Sequence, residues 1–323
     1  MKDLPDDIAE EYMENESQLE LLDINKSLSL DDVIGQGKVV GELRKIVKQN
    51  KYSFIYKSFG AKFPKGFLFY GPPGVGKTHS ARCFINELGC KAVNLSAEHI
   101  SSKFIDEPID QIEGLKQSIS ILAKEGLVVV ILDEIDGILF KRGSQSQAHD
   151  TKKLSMFLRW MDGLIEDENV LFIATTNRID CVDEALLRSG RLDYKCKFDP
   201  LNNDDIVKCL KLHMEKANDR VESDIFNTKD LQFDFSEVGL LTGADIDEIV
   251  EASIRNAAAG FANINLGDIY NSFLHSTDLD MQTIFEDYLE ENKVKLAISK
   301  EDILQAMKAL TFDKEEKQKI GFK

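Results

Sequence analysis

The octet GPPGVGKT at positions 71–78 constrains this chain more than any other stretch. It fits the pattern G-x-x-x-x-G-K-[ST], which a chain of this length carries by chance on the order of once in a hundred cases. The apolar run FLFY (67–70) precedes it, and THSARCFINEL (78–88), with helical spacing of apolar residues, follows. A strand, a glycine turn and a helix in that order form a phosphate cradle. Gly71, Gly74 and Gly76 free the backbone to turn its N–H groups inward around phosphate oxygens. The helix start adds its dipole. Lys77 supplies a positive charge for the β- and γ-phosphates, and the Thr78 hydroxyl is an oxygen ligand for Mg²⁺.

A phosphate cradle of this kind belongs to a strand–helix alternation, and the chain supplies one. AVNL (92–95) and LVVVIL (127–132) read as strands, as do NVLFIATT (169–176) and YKCKF (194–198). Between them LKQSISILAKE (115–125) and KLSMFLRWM (153–161) read as helices. Continuous apolar strands separated by helices argue a parallel sheet covered on both faces. Beyond Asp199-Pro200 the strand signals stop. NDDIVKCLKLHMEKA (203–217), GADIDEIVEASIRNAAA (243–259), TIFEDYLEE (283–291) and KEDILQAMKAL (300–310) all have helical periodicity. The expected organisation is therefore an acidic extension over 1–30, an α/β domain over 31–199 and a helical domain over 200–323.

Charge narrows the partners. The 323 residues carry a net charge of −17, which repels a phosphate backbone over most of the surface and disfavours nucleic acid. Residues 1–32 hold eleven acids against Lys2 and Lys26. That composition reads as a solvated, partly disordered tail; the sharper alternative is a docking segment for an adaptor, with QLELLDI (18–24) as its apolar anchor. The five cysteines are odd in number and form no CxxC pair, so a disulfide framework and a zinc cluster are both unsupported. The start MKDLPDDIAEEY lacks an apolar segment of the secretory type, and LVVVIL is far short of the ~20 residues a membrane helix needs. The expectation is a cytoplasmic protein with no membrane span.

The second chemical signal is VVVILDEID (128–136). Asp133 falls at the carboxyl end of a buried strand, where ligands of open α/β sheets bind. It is a candidate Mg²⁺ ligand, and Glu134 beside it a candidate base for an attacking water.

Together with FGAKFPKGFLFYGPPGVGKT (59–78) and ATTNRIDCVDEALLRSGRLD (174–193), these residues resemble the AAA ATPases, and most of all the AAA modules of membrane AAA proteases and proteasomal ATPases. The resemblance runs from about 30 to 260. It implies an α/β P-loop NTPase fold whose parallel sheet is flanked by helices, followed by a small all-helical lid domain. It implies Mg²⁺-dependent hydrolysis of ATP. Gly71, Pro72, Pro73, Gly74, Val75, Gly76, Lys77 and Thr78 would wrap the phosphates, and Thr78 and Asp133 would hold Mg²⁺. Glu134 and Asn177 would be catalytic, the latter as a sensor of the γ-phosphate. Ile34 and Gly35 would frame the adenine, with His213, Gly243 and Ala244 on the lid side of the nucleotide. Asp162-Gly163-Leu164 resembles a segment that signals between subunits. Arg188 and Arg191 of RSGR would reach the γ-phosphate held by a neighbouring subunit, so activity would require a homo-oligomer, expected as a hexameric ring. An ion pair with the chain's own carboxylates is the competing reading for these arginines.

The family's pore loop matches SSKFIDEP (101–108), with Lys103, Phe104 and Ile105 facing a protein substrate in a central channel; Asp106 departs from the glycine usual there. A core phenylalanine at a helix end is the alternative. GSQSQAHDTKK (143–153) matches a second such loop. Residues 261–298 exceed the family's usual lid and are expected to add a helix or two. The function implied is a ring motor that remodels, unfolds or disassembles proteins. Two alternatives stand beside it: an unfoldase feeding a separate peptidase, and a nucleic-acid-associated ATPase. No HExxH follows any of the five histidines, so the chain is not expected to be itself a zinc protease of that group.

Overall fold

The computed structural model describes residues 21–22, 28–95, 109–137, 147–228, 233, 235, 240–273, 283, 285, 287, 289–290 and 295–319. The chain divides into two compact units, Met1–Asp199 and Pro200–Lys323.

The first unit is built on five parallel strands: β1 (Gly66–Tyr70), β2 (Lys91–Leu95), β3 (Val128–Leu132), β4 (Val170–Thr176) and β5 (Tyr194–Lys197), in the spatial order β2-β3-β4-β1-β5. Strands β3 and β4 are buried at every position, which is why β3 reads as an unbroken apolar run and β4 as one up to Thr175. Alternate residues serve opposite faces. Val170, Phe172 and Ala174 pack with helices α4 (Ile109–Glu125) and α5 (Gln147–Ile165), through Leu122, Phe157 and Met161. Leu171 and Ile173 pack with α1 (Gly37–Lys51) and α3 (Lys77–Leu88), through Leu43, Phe84 and Ile85. Between α1 and β1 lies the short α2 (Ser53–Ser58), which buries none of its residues.

Strand order positions the site. From β1 the chain crosses to β2 at the far edge, whereas from β4 it passes over β1 to β5. Connections leaving neighbouring strands in opposite directions open a crevice at their carboxyl ends. Register aligns those ends: Tyr70 lies opposite Thr176, and Leu132 opposite Ala174, so that Asp133 falls beside Thr175.

The second unit contains α6 (Asn203–Arg220), α7 (Gly243–Phe273) and α8 (Lys300–Lys319). Ile206, Leu210 and Met214 of α6, Ile246 and Ile249 of α7, and Ile303 and Met307 of α8 are buried. Asn202 caps α6, its side chain accepting from the Asp205 N–H at 2.9 Å. Thr242 and Asp245 form a reciprocal cap on α7.

Three features differ from the sequence reading. Helix α1 is an element the sequence reading does not include, although Val39, Val40, Leu43 and Ile46 share one face by their helical spacing and pack toward β1 and α3. Helix α7 continues through Phe273, so the start of the 261–298 segment prolongs an existing helix, and Phe261 meets Phe285 edge-on at 5.8 Å. The acidic extension does not stand wholly apart: Leu21 bridges Val93 antiparallel at the β2 edge, and the Leu22 N–H donates to the Ala92 carbonyl at 2.9 Å. The expectations for 1–20, for the pore-loop residues Lys103, Phe104 and Ile105, and for 143–146 lie outside the described residues, while 147–153 form the first turns of α5.

Candidate nucleotide site

The loop after β1 requires glycine at its ends. Gly71 has φ +152, and a Cβ there would come within 2.2 Å of the Phe198 carbonyl oxygen, so no side chain fits. Gly76 caps α3 in the left-handed region at φ 88 without a side-chain cap bond. The first N–H groups of α3 therefore open toward the loop, as an anion site requires.

Lys77 begins α3 and is 8% exposed. Its ammonium donates to the Gly71 carbonyl at 2.9 Å, the Pro72 carbonyl at 2.8 Å and the Asn177 Oδ1 at 2.7 Å. Burial lowers its pKa, and the charges of Asp136, Asp133 and Glu134 oppose that shift. The three donors of the ammonium are thus held by neutral oxygens at the crevice between β1 and β4. Asn177 follows β4, and its own N–H points at Asp136 Oδ1 over 3.4 Å.

Asp133 follows β3. Its carboxylate accepts from the Thr78 hydroxyl at 3.1 Å and from the Thr175 hydroxyl. Thr175 in turn accepts from the Glu134 N–H at 3.0 Å. Glu134 is held at φ 53, a left-handed conformation uncommon outside glycine. The residues Pro73, Gly74, Gly76, Lys77, Thr78, His79, Glu134, Thr175 and Asn177 line a cavity of about 270 Å³. Thr175 and His79 were absent from the sequence reading. Thr175 could have been found from its position two before Asn177, on the strand neighbouring Asp133; His79 lies one residue after the cradle motif.

The donor set suits a hard cation. Thr78 hydroxyl and Asp133 carboxylate are oxygen ligands within 3.1 Å of each other, as Mg²⁺ prefers. Among the described residues no group of three His, Cys, Asp or Glu side chains could hold a metal alone, so phosphate and water would complete the coordination.

Ile34 and Gly35 lie between a 3-10 turn (Leu30–Asp32) and α1, with Gly35 at φ 79. The adjacent Gln36 is 5% exposed; its amide nitrogen donates to the Asp199 carbonyl at 2.7 Å. Asp199 follows Phe198, whose carbonyl abuts Gly71, so this loop is tied beside the phosphate cradle.

The two arginines part company. Arg188 is exposed. Arg191 is folded in: its Nε and Nη2 each donate to one oxygen of Asp162 at 2.7 Å, and its Nη1 donates to the Ala185 carbonyl at 2.6 Å. Asp162 lies in the last turn of α5, in the Asp-Gly-Leu segment, so Arg191 staples the turn to that helix. In the second unit, Gly243 and Ala244 start α7, and the His213 Nδ1 lies 2.7 Å from Asp247 Oδ1.

Residues 67–200 match the family model described as ATPase family associated with various cellular activities (AAA). The chain is 34% identical over 189 residues to a 26S proteasome regulatory subunit 8 homolog of Encephalitozoon cuniculi, covering 57% of this chain and 47% of that protein. It is 33% identical over 187 residues to the ATP-dependent zinc metalloprotease FtsH 2 of Thermoanaerobacter, covering 58% and 36%. To FtsH 3 of Symbiobacterium thermophilum it is 32% identical over 251 residues, covering 76% and 39%. The matched regions amount to less than half the length of each of these relatives. No helix among the described residues is long and apolar enough to cross a membrane.

Proposed function

We propose, for a chain whose residues 67–200 are an AAA ATPase domain related to proteasomal ATPases and FtsH, an Mg²⁺-dependent ATPase that works in a homo-oligomeric ring, probed first as a hexamer, and remodels protein substrates. The observation that carries this reading is the convergence of Lys77, Asp133 and Asn177 at the aligned carboxyl ends of β1, β3 and β4.

Each residue then has a task. Backbone N–H groups from Gly71 to Gly76 and the start of α3 bind the phosphates, and Pro72, Pro73 and Val75 shape that loop. The Lys77 ammonium exchanges its three neutral acceptors for phosphate oxygens, a gain in charge complementarity inside a half-buried site. Bound Mg²⁺ supplies charge neutralisation at the β- and γ-phosphates. Thr78 and Asp133 hold it, with Thr175 orienting Asp133. Glu134, fixed in backbone direction by Thr175, orients the attacking water and takes its proton. Asn177 aligns the γ-phosphate. Ile34 and Gly35 contact the base, and His213, Gly243 and Ala244 act from the lid side.

Arg188 acts on a neighbour's γ-phosphate, a use that fits its exposure and needs a second copy; such fingers are worth ~10³–10⁵ in rate in other NTPases. Arg191, held by Asp162, fixes the turn that presents Arg188. Lys103, Phe104 and Ile105 grip the substrate chain, and the acidic N-terminal residues recruit an adaptor. The protein is cytoplasmic, and nucleic acid is not its substrate. The names of the relatives favour a second reading, an unfoldase feeding a separate peptidase, which co-purification of a peptidase would support.

Glu134→Gln tests the core of the proposal. It should retain ATP binding while hydrolysis drops by orders of magnitude. Hydrolysis at the parent rate would remove Glu134 from the mechanism.

A further inference from the structure

Residues 33–65 carry eight basic side chains against one acid, Glu42. They form a basic stretch of net +7 in a chain of net −17, leaving −24 elsewhere. The same stretch concentrates exposed apolar surface. Tyr52, Phe54, Ile55 and Phe59 are 43%, 69%, 43% and 88% exposed. They are half of the exposed large apolar side chains among the described residues. Helix α2, which carries Phe54 and Ile55, buries nothing. Lys48, Lys51 and Lys62 around it meet no carboxylate within ion-pair distance among the described residues, and Lys51 lies over the Tyr52 ring at 5.6 Å. Scattered apolar residues on a surface need no explanation, but four within eight positions, rimmed by unpaired cations, mark an interaction site.

The structure points to its occupant. The segment that carries the patch leads into β1, which abuts the arginine turn. Phe59 is seven residues from Gly66, whose backbone abuts the Arg191 carbonyl so closely that a Cβ would approach it to 2.4 Å. The Tyr194 hydroxyl, one residue beyond the RSGRLD segment, donates to Glu42 of α1 at 2.8 Å. The start of β1 and helix α1 thus both touch the segment that carries the exposed Arg188. We infer that the α1–α2 surface, centred on Phe54 and Phe59, is the face that docks against an acidic surface of a second copy of this chain. The inference rests on the trans role of Arg188 and deepens it: contact between copies comes from an aromatic cluster in the segment that leads into β1, and charge complementarity sets which way round the copies meet. Charged rims of this kind govern orientation and salt dependence, while the buried aromatics supply most of the affinity.

The test is sedimentation velocity of the full chain with Mg²⁺ and a non-hydrolysable ATP analogue. It compares the parent with Phe54→Ser/Phe59→Ser and with Lys48→Glu/Lys51→Glu. The aromatic pair is exposed, so its replacement should leave the thermal melt in place; Phe59→Glu alone serves should the pair fail to fold. Each aromatic lost should raise the concentration for half-assembly at least about tenfold, and the lysine reversals should weaken assembly more at low salt than at high salt. Assembly of all variants at the parent's concentration would overturn the inference while leaving the trans arginine standing. So would binding of the parent to anionic vesicles or polynucleotide that the aromatic substitutions abolish without changing assembly. A parent that stays monomeric, with turnover per chain independent of concentration, would sink the ring itself along with this surface.

Discussion

Replacing Arg191 with alanine removes three hydrogen bonds from one guanidinium, two on Asp162 and one on the Ala185 carbonyl. Bonds to charged groups typically cost about 1.5–3 kcal/mol when one partner is deleted. Asp162 is half exposed, at 50%, so water recovers much of its share, whereas Arg191 is only 19% exposed. The expected loss for Arg191→Ala is therefore about 2 kcal/mol, well below the roughly 4.5 kcal/mol that three such bonds would give without solvent compensation. Asp162→Ala should cost about 1–2 kcal/mol, because it leaves a largely covered guanidinium with one acceptor. The residues touch, so the double variant should cost less than the sum, with a coupling of about 1 kcal/mol. The single tryptophan, Trp160, is 4% exposed and lies two residues before Asp162 on α5. Urea unfolding followed by its emission reports on this unit. Turnover supplies the second readout: both single variants should slow ATP hydrolysis to a similar degree and leave ATP affinity in place, since the turn no longer presents Arg188. Arg191→Lys should not rescue, because an ammonium cannot reproduce the forked contact. Additive stability changes, together with Asp162→Ala turnover at or above the parent rate, would refute this reasoning and return Arg191 to the neighbour's phosphate.

Lys77→Ala should abolish ATP binding, measured by equilibrium titration, because among the described residues that line the cavity it is the single Lys or Arg. Arg188→Ala should bind ATP and hydrolyse it poorly; mixing it with Lys77→Ala chains should restore partial turnover, and mixed assemblies without any recovery would count against the shared site. Phe104→Ala should keep basal ATPase within a few-fold yet lose substrate remodelling; a loss of both with a lower melting temperature would assign Phe104 to a core. Burial pushes the thiols of Cys90 and Cys196 up to about 12 and that of Cys209 to about 11. Near pH 8 these three should resist alkylation, and the partly exposed Cys181 should react first by mass spectrometry. Because unfolded thiols ionise near their ordinary pKa of 9.0, the folded state should lose stability as pH rises above about 9, read as a falling melting temperature.

Local chemistry determined much of this protein from its sequence. The phosphate cradle is contiguous, and its glycines answer to backbone geometry within eight residues, so GPPGVGKT could be read without any partner. Strands β3 and β4 announced themselves because burial on both faces leaves β3 wholly apolar and β4 apolar up to its closing Thr175 and Thr176. Tertiary structure alone decided what depends on register and packing. That Thr175 holds both Asp133 and Glu134 follows from Leu132 lying opposite Ala174, a pairing between segments forty residues apart. That Arg191 turns inward while Arg188 stays exposed follows from where the last turn of α5 falls, since only there does a carboxylate meet the guanidinium fork. Helix α1 was legible and was missed: Val39, Val40, Leu43 and Ile46 recur at helical spacing, and the tertiary structure adds only what that face packs on. A sequence records which groups a chain owns; hydrogen-bond partners across a sheet or a turn are set by distances that only the folded backbone fixes.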